Sequence, residues 1–167
     1  SSDVCSSDLL GRVKKTSLSD YANIRTSGIM AIKLSDGDSL AWVRISSGTD
    51  NVMLVTREGQ SIRFNEKDVR PMGRVAAGVS GIKLKKADDK VVGMVVLPKT
   101  EEKAHLLVVA EKGYGKKTPV GEYKVQNRGG SGIKTYNITS KTGRLVSARI
   151  QEARSHSDLL IVTATGN

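Results

Sequence analysis

The sequence predicts an all-β chain of propeller-like blades, built from a tandem repeat in three copies plus the opening of a fourth. Three observations carry this. A short apolar segment is followed by a glycine at one constant offset: residues 52–56 before Gly59, 106–110 before Gly113, and 159–163 before Gly166. With Gly11, these glycines recur at a period of about fifty residues, room for about four short strands per copy. No stretch carries the periodicity of a long amphipathic helix.

Each copy presents its elements in the same order. The continuous apolar run, rich in β-branched residues, reads as a strand buried on both faces. The glycine after it marks a tight turn into a second strand. That strand carries a recurrent basic position: Lys14 and Lys15, then Arg63, then Lys116 and Lys117. A second glycine with an aliphatic neighbour follows, as Gly28-Ile29, Gly78-Val79 and Gly132-Ile133. Asp38 and Asp88 come next as turn formers, with Thr142 in the third copy. A last strand closes each copy, over residues 40–45, 91–97 and 145–150. Insertions fall in polar loops, at 97–103 and 151–157. The copies therefore run 10–50, 51–104 and 105–157, with 158–167 opening a fourth; the blades are expected to be four-stranded and antiparallel.

Residues 1–9 break this order. The register calls for an apolar strand before Gly11, but the chain reads Ser1-Ser2-Asp3-Val4-Cys5-Ser6-Ser7-Asp8. The string resembles the translation of a sequencing-adapter oligonucleotide. It is read as foreign to the repeat, leaving the first copy without its leading strand.

Charge narrows the function. Lys and Arg total 27 against 17 Asp and Glu, a net +10. Such an excess points to a polyanionic partner, nucleic acid first and an acidic membrane surface second. Aromatic residues are only 4%, few for the stacking platforms of single-strand binders, which favours duplex backbone contact. A single cysteine excludes an internal disulfide. No apolar run approaches the roughly 20 residues of a membrane span, and nothing resembles a signal peptide. A reducing, cytoplasmic setting is the expectation. Cys5, His105 and His156 make no zinc set, and no cofactor is expected in this segment. Ser155-His156-Ser157-Asp158 is too local for a catalytic triad. Gly113-Tyr114-Gly115-Lys116-Lys117-Thr118 lacks the helix of a phosphate-binding P-loop.

The string Arg63-Phe64-Asn65-Glu66-Lys67-Asp68-Val69-Arg70-Pro71-Met72-Gly73-Arg74 closely resembles the C-terminal domain of the DNA gyrase A protein. So do Gly11-Arg12-Val13-Lys14-Lys15-Thr16 and Gly113-Tyr114-Gly115-Lys116-Lys117-Thr118-Pro119-Val120. The related A protein of topoisomerase IV ranks second. The resemblance implies a β-pinwheel, a six-bladed disc that binds and bends double-stranded DNA around a positive rim. Gln126-Asn127-Arg128-Gly129-Gly130-Ser131-Gly132 matches five of seven positions of the family's Gln-Arg-Arg-Gly-Gly-Lys-Gly box, so it resembles a degenerate copy. The resemblance also implies a gyrase B partner, a gyrase A dimer, ATP and Mg for the whole enzyme. All of these, and the strand-cleaving tyrosine, belong to domains outside this segment.

Wrapping a duplex needs many modest phosphate contacts on a curved surface rather than base readout. A repeated basic loop supplies them, and its glycines let backbone N–H groups approach phosphates. The candidate contacts are Lys14, Lys15, Arg25, Arg63, Lys67, Arg70, Arg74, Lys116, Lys117, Lys124, Arg128 and Lys134. Two other readings stand beside this one: a propeller-type scaffold that binds protein, and an enzyme in its own right, for which no constellation of residues speaks.

Overall fold

The structure, a computed structural model, describes residues 2–23, 25–153 and 158–163. Eleven strands follow one another: β1 Asp3–Asp8, β2 Arg12–Ser17, β3 Leu40–Ser46, β4 Asn51–Thr56, β5 Gln60–Asn65, β6 Val79–Ser80, β7 Val91–Leu97, β8 His105–Ala110, β9 Gly115–Pro119, β10 Ile133–Lys134 and β11 Leu145–Gln151. They form three antiparallel sheets, in the orders β3-β1-β2-β6, β10-β5-β4-β7 and β11-β8-β9. The centre of each sheet is a hairpin closed at a turn glycine, flanked by the last strand of the same copy.

The fourth strand of a blade comes from the next copy. Val79 and Ser80 of the second copy pair with Val13 and Arg12 of the first. Ile133 and Lys134 of the third pair with Ser61 and Gln60 of the second. The strand predicted after each second glycine is thus real, but it crosses to the blade before it. A close approach makes glycine necessary there. Gly78 has φ +82°, and a Cβ on it would lie 2.5 Å from the Val13 carbonyl oxygen. A Cβ on Gly132, at φ +67°, would overlap the Ser61 carbonyl. Gly28-Ile29, the equivalent pair in the first copy, lies in irregular chain.

Both faces of the middle sheet are covered, which is why β4 is apolar without alternation. Val52 and Leu54 point into a core with Cys5 and Val13 of the first blade, shared with Ile62, Phe64 and Met94. Met53 and Val55 point the other way, onto Leu106, Val108, Val120 and Leu145 of the third blade. Polar links reinforce the second junction: Arg144 reaches Glu58 and Asp88, each at 2.9 Å. That pairing holds the Asp88 carboxyl below its ordinary range.

Three sequence expectations need correction. The first copy does not lack a leading strand, because Asp3–Asp8 fills that place, paired with β2 on one side and β3 on the other. A central strand is selected by the backbone groups of both its neighbours, and small Ser and Cys side chains fit the slot without an apolar pattern. Residues 159–163 join no sheet, and Leu160 is 87% exposed. Gly166 and His156 lie outside the described residues. Finally, the second-copy turn former is Asp89 rather than Asp88. Asp38 accepts from the Leu9 and Ser39 amides at 3.1 and 2.7 Å, and Asp89 accepts from those of Glu58 and Lys90 at 3.1 and 2.8 Å. One extra residue in the second-copy loop shifts the role along the chain.

Two measurements test this packing. Glu66 is fully buried; it accepts from the Asp50 amide and the Ser46 hydroxyl, both at 2.7 Å, with the Lys15 Nζ at 3.9 Å. Glu66→Ala leaves a buried cation without its carboxylate and should cost about 3–5 kcal/mol in a urea melt. Asp8 is also buried, and desolvation raises its pKa to about 6. The folded chain then keeps a proton that the unfolded chain releases near the ordinary carboxylate value. Stability should fall as pH rises from that value through about 6, and Asp8→Asn should flatten this slope in melts recorded across the window.

Candidate nucleic-acid interface

The recurrent basic residues on the second strands divide into buried and exposed sets. Lys14 is 2% exposed, and its ammonium donates to the carbonyls of Ala31 and Arg74 at 2.6 and 2.7 Å. Burial, with the Arg74 charge nearby, lowers its pKa. Lys15 donates to the Glu66 carbonyl at 3.0 Å from a buried position. Arg63, also buried, donates to the carbonyls of Val120 and Tyr123, both at 3.3 Å, and meets Glu102 at 3.2 Å. These three were candidate phosphate contacts, and the structure corrects that reading. Their side chains are buried and their charges engage protein carbonyls at the blade junctions. Periodicity showed that the position recurs but could not show which way it faces. Lys116 and Lys117, on β9, are exposed.

The remaining candidates lie on the loop between each second strand and the next exchanged strand, save Lys134, which ends the exchanged strand β10 itself. Lys67, Arg70, Lys124 and Lys134 are exposed, Arg74 and Arg128 half-buried. Arg74 and Arg128 stand at the same place in their copies and dock the same way. Arg74 donates to the Met30 carbonyl at 3.3 Å, and Arg128 to those of Ser80 and Asp68 at 3.0 and 2.8 Å. Gly129, at φ +81°, donates its amide to the Gly81 carbonyl at 2.6 Å. The Gln126–Gly132 loop, including Asn127, Gly130 and Ser131, therefore rests on the preceding copy. Arg25 and Arg74 meet across an open pocket that also takes in Asn23, Ser27 and Gly28.

Two exposed lysines escaped the sequence reading. The Lys83 amide donates to the Gly130 carbonyl at 2.9 Å, which sets Lys83 beside the Arg128 loop. The Lys33 amide donates to the Ala76 carbonyl at 3.2 Å, beside the Arg74 loop. Both stand five residues after a second glycine, which was the available signal. Their partners belong to the following copy, so scanning within copies misses them. Each junction thus assembles one arginine, one lysine and a glycine-containing loop from two repeats. Such a cluster suits a phosphate diester: cations for charge, and backbone amides that approach closely.

This arrangement defines a class: an arc of β-propeller-like blades that exchange strands and repeat a basic cluster at each junction. Comparison with known proteins agrees. The family described as "DNA gyrase C-terminal domain, beta-propeller" matches residues 10–47, 50–98 and 104–152. The chain belongs to this family. It is 43% identical over 157 residues to the gyrase A protein of Deinococcus deserti, covering 93% of the chain and 19% of that protein. It is 44% identical over 156 residues to the gyrase A protein of Staphylococcus epidermidis, covering 93% of the chain and 17% of that protein. The chain thus spans less than a fifth of these relatives. Among solved structures, a DNA gyrase A C-terminal domain superposes with TM-score 0.76 at 27% identity, covering 90% of the chain and 49% of the other. A topoisomerase IV C-terminal domain superposes with TM-score 0.83 at 25% identity, covering 90% and 46%.

Cys5 offers a check on the first junction. It is buried between blades, and desolvation raises its thiol pKa to about 11. Thiol reagents should label it slowly in the native chain and rapidly in urea, as a colorimetric thiol assay would read.

Proposed function

We propose that the chain is the duplex-DNA binding and bending module of a type IIA topoisomerase, from its gyrase A protein. The observation that supports this reading is the repetition of one basic cluster, Lys33 with Arg74 and Lys83 with Arg128, at successive blade junctions. A duplex laid along the arc meets equivalent cations at regular intervals, and the spacing of the clusters dictates its bend. Bending a site of 20–30 base pairs costs on the order of 1–6 kcal/mol, so several clusters must act together. No base edge needs to be read, and sequence preference follows from DNA bendability.

In this reading the segment performs no chemistry itself. It serves the ATP-dependent negative supercoiling of a whole gyrase, in the cytoplasm on the nucleoid. The gyrase B partner, the gyrase A dimer contact, and the sites for ATP and Mg lie in domains outside this sequence.

The test is a salt titration of binding to an end-labelled duplex. Affinity should fall steeply and log-linearly with salt. Lys83→Ala and Arg128→Ala should each weaken binding and reduce the salt slope by about one unit. Lys14→Met should leave the slope unchanged, because its ammonium is buried on carbonyls. Salt-independent binding, or none at low salt, refutes the proposal.

A further inference from the structure

The buried cations Lys15 and Arg63 stand at one position, four residues after their turn glycines, and grip the next copy with two arms. The first arm is backbone. The Lys15 carbonyl accepts from the Met72 amide at 2.8 Å, and the Arg63 carbonyl accepts from the Gln126 amide at 2.7 Å. Parallel bridges to Pro71 and Val125 accompany these bonds. The second arm is the side chain, which donates to the first carbonyl of the following 3-10 turn: Glu66 for Lys15, Val120 for Arg63. Pro71 and Val125 each lie three residues before the arginine of the basic cluster, Arg74 or Arg128. The far end of the same loop is pinned by the exchanged strand, β6 or β10. Each arginine loop is thus held at both ends by the blade before it.

The Glu66 and Val120 carbonyls already accept from the Val69 and Tyr123 amides, each at 3.0 Å, so the cation adds a second donor that ties the turn to the blade before it. A long cation on the facing strand suits this reach between blades. Lys117 holds the same position in the third copy and is exposed; no further 3-10 turn stands against it among the described residues.

We propose that Lys15 and Arg63 are positioning residues. They set the blade-to-blade registration of the arginine loops, and so the curvature imposed on a bound duplex, without touching the duplex. This rests on the DNA-bending reading above.

Arg63→Met, Arg63→Lys and the wild-type chain separate the possibilities. Methionine fills similar space with no donor, and Glu102 is left facing solvent. Arg63→Met should bind a duplex of about 30 base pairs with unchanged salt slope, while the end-to-end energy-transfer change that reports bending falls about twofold. Arg63→Lys should restore most of the bend. Spin labels at Lys85→Cys and Lys141→Cys, in a Cys5→Ser background, report the junction without DNA; their distance distribution should broaden in Arg63→Met. An unchanged bend together with an unchanged distribution overturns the proposal. So does a salt slope reduced by about one unit with the bend intact, which would make Arg63 a phosphate contact. Should the wild-type chain bind no duplex, the DNA reading fails, and the label distances alone decide the positioning role. Lys15→Met repeats the measurements at the first junction, should Arg63→Met not fold.

Discussion

The first and second blades each take a strand from the next copy, while the third, with three strands among the described residues, takes none. Two residues are enough, because the main chain carries the bond: Val79-Ser80 complete the first blade and Ile133-Lys134 the second. The lent strand covers part of the second strand's edge and becomes the end strand of its sheet. The loan also fixes where the rest of the next copy begins. The 3-10 turn, the arginine loop and the exchanged strand of one copy are all held against the preceding blade. Junctions, rather than blades, are therefore the units in which this molecule is assembled.

The division of labour among its cations follows. A strand running between two packed sheets has no side that water reaches freely, so basic residues on it must find acceptors in protein. Lys14, Lys15 and Arg63 find them in carbonyls, at distances from 2.6 to 3.3 Å. A loop crossing from blade to blade stays at the surface, and its cations keep donors for a ligand. Arg128 shows both behaviours in one side chain, since two of its nitrogens hold the Ser80 and Asp68 carbonyls while the residue stays half-exposed. An arginine anchored in this way loses less entropy on meeting a phosphate than a free lysine does.

Burial of charge inside the arc is compensated locally. Glu66 gathers the Asp50 amide, the Ser46 hydroxyl and Lys15, and it closes the first junction from the second blade. The second junction sets Arg63 on the carbonyls of Val120 and Tyr123 amid apolar side chains, and adds the ion pairs of Arg144 with Glu58 and Asp88. The two junctions share geometry but not chemistry, and this drift between copies leaves their second strands alike only at the basic position.

The sequence alone determined the repeat, its period, the all-β class and the turn glycines, because strand runs and tight turns are local properties of a chain. It also determined the net charge of +10. Only the tertiary structure decided which basic residues face outward. Lys15 and Lys117 occupy the same position in their copies, yet one is buried against a following blade and the other is exposed. Nor could the sequence pair Lys83 with Arg128, or assign Val79 to the blade before its own. Those relations join residues of different copies, and a periodic sequence marks each copy without stating which of its elements crosses to a neighbour. The strand at Asp3–Asp8 was hidden for a related reason: backbone hydrogen bonds place it, and they leave no pattern of side chains to read.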